Sequence, residues 1–167
     1  MSKALLLTRK KTLQKAKRMA YQILENNIGE NEVVVAGIGG EGYSLAEIIV
    51  GYLREISDFQ VVIARISFDK GATSQPDITI ESEVDTFQHK SVVIVDDVLN
   101  SGKTLAFCLR PFLSIPLRKL QVAVMVDRNH PRYPIKADFV GYSLSTTLSD
   151  HVQVILSDES QAGVYLY

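Results

Sequence analysis

The sequence predicts an open α/β fold: a mostly parallel, twisted sheet flanked by helices. Three observations predict it. Short continuous apolar runs, such as Val33-Val34-Val35-Ala36 and Val92-Val93-Ile94-Val95, suit strands buried on both faces. Stretches with apolar residues at helical spacing lie between those runs. Glycine-bearing turns follow two of the runs, as they would where a strand hands over to a helix. Strands that alternate with helices imply parallel pairing through crossovers. In such sheets ligands bind beyond the carboxyl ends of the strands.

Taken in order, the first strong period is helical. Leu13, Ala16, Ala20, Ile23 and Leu24 share a face, Lys11, Lys15, Lys17 and Arg18 fall largely off it, and Gly29 stands where a helix would stop. A strand over 33–38 comes next, then Gly39-Gly40-Glu41-Gly42. A second amphipathic helix points Leu45, Ile48, Ile49, Tyr52, Leu53 and Ile56 inward. Residues 61–64 read as a strand. Residues 69–90, with Gly71, Pro76 and only a weak alternation at Ile78 and Ile80, read as a long mobile loop or an extended hairpin. The most hydrophobic strand spans 91–95 and ends in Asp96-Asp97. Helix is predicted from about 102 to 113, and strands over 120–126, 137–142, 152–156 and 164–167.

The 167 residues fit one domain, 1–167, long enough for a core without disulfides or a structural metal. A net charge of −1 argues against a strongly cationic nucleic-acid or membrane binder. The single cysteine, Cys108, excludes an intrachain disulfide and sits in an apolar run, as a small core residue does. The start, MSKALLL, is too brief an apolar run for a signal peptide or a membrane span. A cytoplasmic protein is expected. His89, His130 and His151 are scattered, with no metal-ligand spacing. His130 is either near a ligand or a surface loop residue.

Chemistry concentrates in Val92-Val93-Ile94-Val95-Asp96-Asp97-Val98-Leu99-Asn100-Ser101-Gly102-Lys103-Thr104. Two carboxylates stand at a buried strand's exit, and a hydroxyl- and glycine-bearing turn then opens a helix. Free N–H groups at a helix start attract anions. Gly102 permits a tight turn, and Ser101 and Thr104 add hydroxyl donors. The carboxylates can accept hydrogen bonds from a ribose diol or hold the water shell of Mg²⁺. A nucleotide-triphosphatase P-loop shares the Gly102-Lys103-Thr104 tail but needs a glycine at position 97, where Asp97 stands. A plain acidic helix cap is the remaining alternative.

Residues 92–104 resemble the 5-phosphoribosyl-1-pyrophosphate (PRPP) signature of type I phosphoribosyltransferases: four apolar residues, two acids, two apolar residues, then x-[Ser/Thr]-Gly-x-Thr. Val126-Asp127-Arg128-Asn129-His130 and Pro134-Ile135-Lys136-Ala137-Asp138-Phe139-Val140-Gly141 are similar to the base-binding region of one subfamily, the bifunctional pyrimidine-operon attenuation regulators/uracil phosphoribosyltransferases. The early helix around residues 17–25 and the terminal Gly163-Val164-Tyr165-Leu166-Tyr167 extend the likeness over essentially the whole chain.

The resemblance implies the type I phosphoribosyltransferase fold, with a flexible loop at about 69–90 and a small hood at about 127–150. It implies that Asp96 and Asp97 contact the ribose hydroxyls and the shell of Mg²⁺ bound with PRPP. Val98, Leu99, Asn100, Ser101, Gly102, Lys103 and Thr104 would bind the 5′-phosphate. Gly39, Gly40, Glu41 and Gly42 would form the pyrophosphate loop. Asp127, Arg128, Phe139 and Val140 would face the base, Phe139 against its ring and the Val140 backbone at its edge. Uracil is the expected base. Asp127 weakens a purine reading, because purine enzymes place there a lysine that donates to the purine oxo group, and an ionised carboxylate has no proton to donate. The sequence departs from the pattern in two places. Gly40 and Glu41 replace a Thr-Arg pair, removing a guanidinium from the pyrophosphate loop, and Glu41 is expected either to repel pyrophosphate or to point to solvent. Asn100, without useful basicity, replaces a tyrosine of the subfamily and an aspartate of the purine enzymes. The subfamily also implies a homodimer or higher homo-oligomer. It leaves open an RNA partner for the basic cluster Arg9, Lys10, Lys11, Lys15, Lys17 and Arg18.

Overall fold

The computed structural model describes residues 3–69 and 77–167. Strand β1 (Ala4–Thr8) leads directly into helix α1 (Arg9–Asn26), followed by β2 (Glu32–Ile38), α2 (Glu41–Ile56), β3 (Gln60–Phe68) and β4 (Ile78–Ile80). A 3-10 turn (Val84–Phe87) precedes β5 (Ser91–Leu99), α3 (Lys103–Leu113), β6 (Lys119–Asp127), β7 (Phe139–Ser143), β8 (Val152–Ile155) and β9 (Gly163–Leu166). Among the described residues these strands form two sheets. The larger has the order β4-β3-β2-β5-β6-β7 and the smaller β1-β9-β8. All neighbours in the larger sheet are parallel except β4, which is antiparallel to β3; the smaller sheet is antiparallel.

The continuous apolar runs are explained by a core on each face. Along β2 and β5, Val33, Val35, Val93 and Val95 join the cluster under α1 and α2. Their neighbours Val34, Ala36, Val92 and Ile94 join the cluster with Leu105, Cys108 and Phe112 of α3. Successive strand residues face opposite ways, so a strand covered on both sides has no polar position left. The smaller sheet closes the first cluster with Leu7, Val152, Val154 and Val164. Glycine permits two close approaches. A Cβ at Gly37 would lie 2.6 Å from the Tyr43 Cα, where α2 presses on β2. One at Gly141 would lie 2.7 Å from the Met125 carbonyl oxygen.

The structure changes one sequence expectation and adds to the reading of two other regions. β5 does not stop at Val95; Asp96, Val98 and Leu99 still pair with Val124, Val126 and Asp127 of β6. The acid pair therefore belongs to a strand, held by ladder hydrogen bonds. The Ala4–Thr8 run is a strand whose partner β9 lies at the other end of the chain, a pairing that local pattern does not reveal. In the 69–90 region, Ile78 and Ile80 form the short strand paired to β3, and the Phe87 ring stacks on Phe112 with centroids 6.2 Å apart. The expected loop also covers residues 70–76, which lie outside the described residues.

The strand order carries the functional consequence. From β2 the chain moves through α2 to β3 on one side, then returns to β5 on β2's other side and continues through α3 to β6. α2 and α3 pack on opposite faces, so the carboxyl ends of β2 and β5 bound a crevice at the point where the order reverses.

A crevice between two phosphate-type turns

The first wall of the crevice is the turn from β2 into α2. Gly39 adopts φ +60°, a left-handed conformation that favours glycine, and its N–H donates to the Ile66 carbonyl of β3 at 2.8 Å. Side chains added at Gly39 or Gly40 would meet nothing within 4 Å, so the turn presents bare backbone to open space. Gly42 differs: a Cβ there would sit 3.0 Å from Asp96 Oδ1 and 3.1 Å from the Asp96 Cα. The missing side chain lets the first turn of α2 rest against the first acid of β5.

The second wall is the turn from β5 into α3. Gly102, at φ +83°, precedes the helix, and a Cβ there would approach Ile135 to 3.1 Å. The Ser101 carbonyl accepts from the N–H groups of Arg132 at 2.9 Å and Tyr133 at 3.0 Å, so the segment after β6 buttresses the turn. Residues 98–105 with Asp96 enclose a concavity of about 40 Å³ at the start of α3, where helix N–H groups lack intrahelical acceptors. Asp96 is 8% exposed, and its Oδ1 accepts from the Asp97 N–H at 2.9 Å. Adjacent strand residues leave the sheet on opposite sides, so the pair straddles the strand end rather than forming two parallel carboxylates.

Both turns and both acids open into one cleft of about 590 Å³, lined by Gly39, Gly40, Glu41, Gly42, Asp96, Asp97, Val98, Asn100 and Thr104. Ile38 adds the end of β2, and Phe68, His151, Val152 and Gln153 complete its lining. Sequence reasoning did not select these four. The alternation His151-Val152-Gln153-Val154 carried the only available signal, a strand with one polar face. Nothing local indicated what that face looks onto.

Two charged side chains have roles other than those expected. Glu41 does not point freely to solvent. Its carboxylate accepts from the N–H groups of Leu156 at 2.7 Å and Ser157 at 3.1 Å, and from the Ser157 hydroxyl at 2.5 Å. It thus ties the end of β8 to the start of α2, where the helix dipole also favours a carboxylate. The Arg128 guanidinium donates to Asn100 Oδ1 at 2.7 Å, to Thr146 Oγ1 at 2.8 and 3.1 Å, to the Thr147 carbonyl at 3.3 Å and to the Asp150 carbonyl at 2.6 Å. It braces residues 144–150 on the second turn. Asn100 is a turn residue that accepts this brace. His130 Nε2 shares the same anchor, 2.7 Å from the Thr146 carbonyl oxygen.

Asp127 ends β6, and its Oδ1 accepts from the Asn129 N–H at 2.9 Å. Phe139 and Val140 are not brought to the cleft. Phe139 opens β7 opposite Ala123, four positions before the strand's carboxyl end, and is 3% exposed within the core. The Val140 carbonyl accepts from Arg18 at 3.1 Å, as does that of Gly141 at 2.9 Å. The sheet register accounts for this: a residue at the entry of a parallel strand lies a strand length away from the ligand end.

Titration of two groups is perturbed near the site. Burial, and then the Asp96 charge, push the Cys108 thiol up to about 12, so it is an inert core group and not a nucleophile. Asp150 is held below the usual carboxylate range by the Thr147 backbone N–H, then its hydroxyl, then Arg128. Among the described residues no cluster of three or more His, Cys, Asp and Glu side chains is arranged to hold a metal. Two carboxylates in an open cleft fit Mg²⁺ held through its water shell and a phosphorylated substrate, which is how Mg²⁺ usually binds. No described helix is long and apolar enough to cross a membrane.

Residues 4–158 match the family model described as the phosphoribosyl transferase domain. The chain is 32% identical over 159 residues to the bifunctional protein PyrR of Ligilactobacillus salivarius, with 89% of each chain covered. It is 31% identical over 176 residues to that of Macrococcus caseolyticus, with 99% of each covered. Among solved structures, a hypoxanthine-guanine phosphoribosyltransferase of Bacillus anthracis has a TM-score of 0.78 at 20% identity, covering 97% of this chain and 95% of its own. At that identity the likeness concerns the fold. A family match over nearly the whole chain, on a fold that brings its two glycine turns and acid pair into one cleft, leads to one assignment: this chain belongs to the phosphoribosyl transferase domain family.

Proposed function

We propose that this protein transfers the phosphoribosyl group of PRPP to a nucleobase, uracil, with release of pyrophosphate. One observation carries the reading: the acid pair Asp96-Asp97 lies in a single cleft between two glycine turns that each open a helix. That spacing suits a sugar with phosphate groups at both ends. The second turn, residues 98–104, would hold the 5′-phosphate. The bare backbone of Gly39 and Gly40 would receive the pyrophosphate. Asp96 and Asp97 would accept from the ribose hydroxyls. Mg²⁺ arriving with PRPP would offset the charge of the diphosphate, with Asp96 and Asp97 holding its water shell.

In the reaction, the bond from the anomeric carbon to the pyrophosphate oxygen breaks and a bond to the base nitrogen forms. The electron pair departs with pyrophosphate, and the nitrogen's proton passes to solvent. The residues contribute chiefly by position. They hold sugar and base in line, and the carboxylates stabilise positive charge as it develops on the ribose ring. Asp127 at the carboxyl end of β6 favours a base with an N–H to donate over one presenting only an oxo acceptor. A homodimer or larger assembly in the cytoplasm completes this reading on the strength of the resemblance. Pyrophosphate release from Mg²⁺-PRPP is expected with uracil and not with hypoxanthine, guanine or xanthine. Release with a purine alone would overturn the role given to Asp127.

A second reading is an RNA-binding regulator of pyrimidine genes with nucleotide as effector and little catalysis. The relatives' name, bifunctional protein, and the basic side chains of α1 favour it. Arg9, Lys10, Lys11 and Lys17 are exposed on α1 and Lys15 is half-buried, its pKa lowered by burial and then by the neighbouring charges of Arg18 and Lys11. Arg18 is partly taken up by β7. Under this reading, RNA affinity measured by filter binding falls steeply as salt is raised from about 50 to 200 mM. Affinity that is absent, or indifferent to salt, would remove it.

A further inference from the structure

The first turn is built from residues with little conformational restraint of their own. Gly39 and Gly40 are consecutive, and neither has a side chain to fix the plane of the peptide between them. Which way that plane faces decides what the turn offers to the cleft it lines. The peptide is trans, so its carbonyl, from Gly39, and its N–H, from Gly40, point in opposite directions. One orientation presents a donor to an anion in the cleft. The other presents a carbonyl oxygen that repels it.

A side chain from β3 selects between them. Arg65 Nη1 donates to the Gly39 carbonyl oxygen at 3.5 Å, and Arg65 is not among the residues that line the cleft. The carbonyl is thus drawn toward a cation outside the cleft, and the Gly40 N–H faces the other way. The bond is longer than the usual span of about 2.7–3.2 Å, so it acts mainly through charge and needs the guanidinium held in place. The fold holds it. Strand register sets Arg65 beside Gly37 of β2, and paired residues of parallel strands share a face. Gly37 has no side chain, and a Cβ there would lie 2.6 Å from the Tyr43 Cα, so α2 comes in close. That approach brings the Tyr43 ring against the guanidinium, whose Cζ lies 3.7 Å from the ring centroid, a favourable cation–π distance. On the other side, the Glu81 carboxylate lies 3.8 Å from Arg65 Nε, and the Glu81 N–H donates to the Arg65 carbonyl at 3.0 Å. The neighbouring Ile66 carbonyl accepts from the Gly39 N–H at 2.8 Å. Residues 65 and 66 therefore hold Gly39 by both of its backbone groups. The Arg65–Glu81 pair is long and partly exposed, so it contributes little to stability, and its effect is on where the guanidinium stands.

We propose that Arg65 is a positioning residue of the cleft: acting through the Gly39 carbonyl, it turns the Gly40 N–H toward an anionic group bound there. The proposal deepens the phosphoribosyltransferase reading and rests on it for the nature of that group, the diphosphate of PRPP. A preset peptide need not reorient when the diphosphate arrives, so its donor acts without a rearrangement. The second turn is buttressed separately, by the N–H groups of Arg132 and Tyr133 on the Ser101 carbonyl. An effect of Arg65 therefore falls on one phosphate end of the substrate and not on the other.

The test uses the full chain with Mg²⁺ and two probes, inorganic pyrophosphate for the first turn and ribose 5-phosphate for the second. Arg65→Met and Arg65→Lys are compared with wild type by calorimetric titration, by thermal melting and by the amide resonance of Gly40. For Arg65→Met we expect roughly tenfold weaker pyrophosphate binding and a displaced Gly40 amide resonance in the free protein. Its ribose 5-phosphate affinity and melting temperature should stay close to wild type. Arg65→Lys keeps a cation near the carbonyl and should recover part of the pyrophosphate affinity. Unchanged pyrophosphate affinity in Arg65→Met would overturn the proposal, as would a loss that lysine does not recover. Equal weakening of both probes would also overturn it, as the mark of a general loosening. So would weaker pyrophosphate binding with the Gly40 resonance unmoved, which would make Arg65 a direct contact. The parent reading fails separately. A wild type that binds pyrophosphate, loses that binding in Arg65→Met and yet transfers phosphoribose to no base would leave Arg65 its role at the turn and remove the transferase.

Discussion

Asp97→Asn is expected to lower kcat/KM for PRPP-dependent pyrophosphate release by about a hundredfold or more, the scale at which one preorganised charged group acts on a developing transition state. The substitution keeps the side chain's shape and removes its charge. The backbone of Asp97 is already secured, its N–H bonded to Asp96 Oδ1 at 2.9 Å within a strand paired along its length to β6. Folding therefore has little to lose, and the melting temperature should stay within a few degrees. This separation of activity from stability is the informative part. An acid that merely capped α3 would behave the other way, losing roughly 1 kcal/mol of stability and leaving turnover intact. Steady-state kinetics and a thermal melt on the same preparation decide between the two. Near wild-type turnover in the variant would remove Asp97 from the site.

The second large effect is expected at Arg128. Arg128→Met preserves the length of the side chain but leaves the Asn100, Thr146, Thr147 and Asp150 oxygens without their donor. Hydrogen bonds from a charged donor are worth about 1.5–3 kcal/mol each where they are buried. These groups are only partly buried and water replaces some of the bonds, so about 2–3 kcal/mol in total is the reasonable scale. The loss should be local. The segment 144–150 and the start of β8 would detach from the second turn, amide exchange there would accelerate, and PRPP affinity would fall because β8 would no longer be fixed along the cleft. Hydrogen exchange in residues 144–153 without a comparable change in β2 and β5 would be the signature. Uniform loosening of the central sheet would instead assign Arg128 to the core of the fold. Acid should act on the same segment. The lowered pKa of Asp150 contributes stability above the usual carboxylate range and loses it as pH falls through the lowered value, so the segment loosens first at low pH.

How far these roles were legible in the sequence follows from how far apart in the chain their causes lie. The PRPP-type segment was readable because each of its requirements is local. An apolar run, two acids and a glycine at φ +83° are consecutive, and the backbone conformation they need is set within a few residues. The fully apolar strands β2 and β5, the helix periods and the resulting open α/β class were readable for the same reason. Even here, β5's true end escaped, since Asp96 to Leu99 stay extended only because β6 offers ladder partners.

Everything that depends on a meeting of distant segments was decided by the tertiary structure. The sequence presented Glu41 as a charge opposed to pyrophosphate or turned to solvent, and its bonds to Leu156 and Ser157 span 115 and 116 positions of chain. It presented Arg128 as a base contact, and the fold directs its donors to both sides of the cleft. It placed Phe139 beside the base, and the parallel register sets that ring in the core opposite Ala123. It said nothing of where His151 would stand, and the fold sets that residue along the lining of the cleft. A sequence states which local conformations are cheap and which faces are apolar. Which polar face then looks onto which turn depends on strand order and register, and those are settled by burying both faces of the sheet at once.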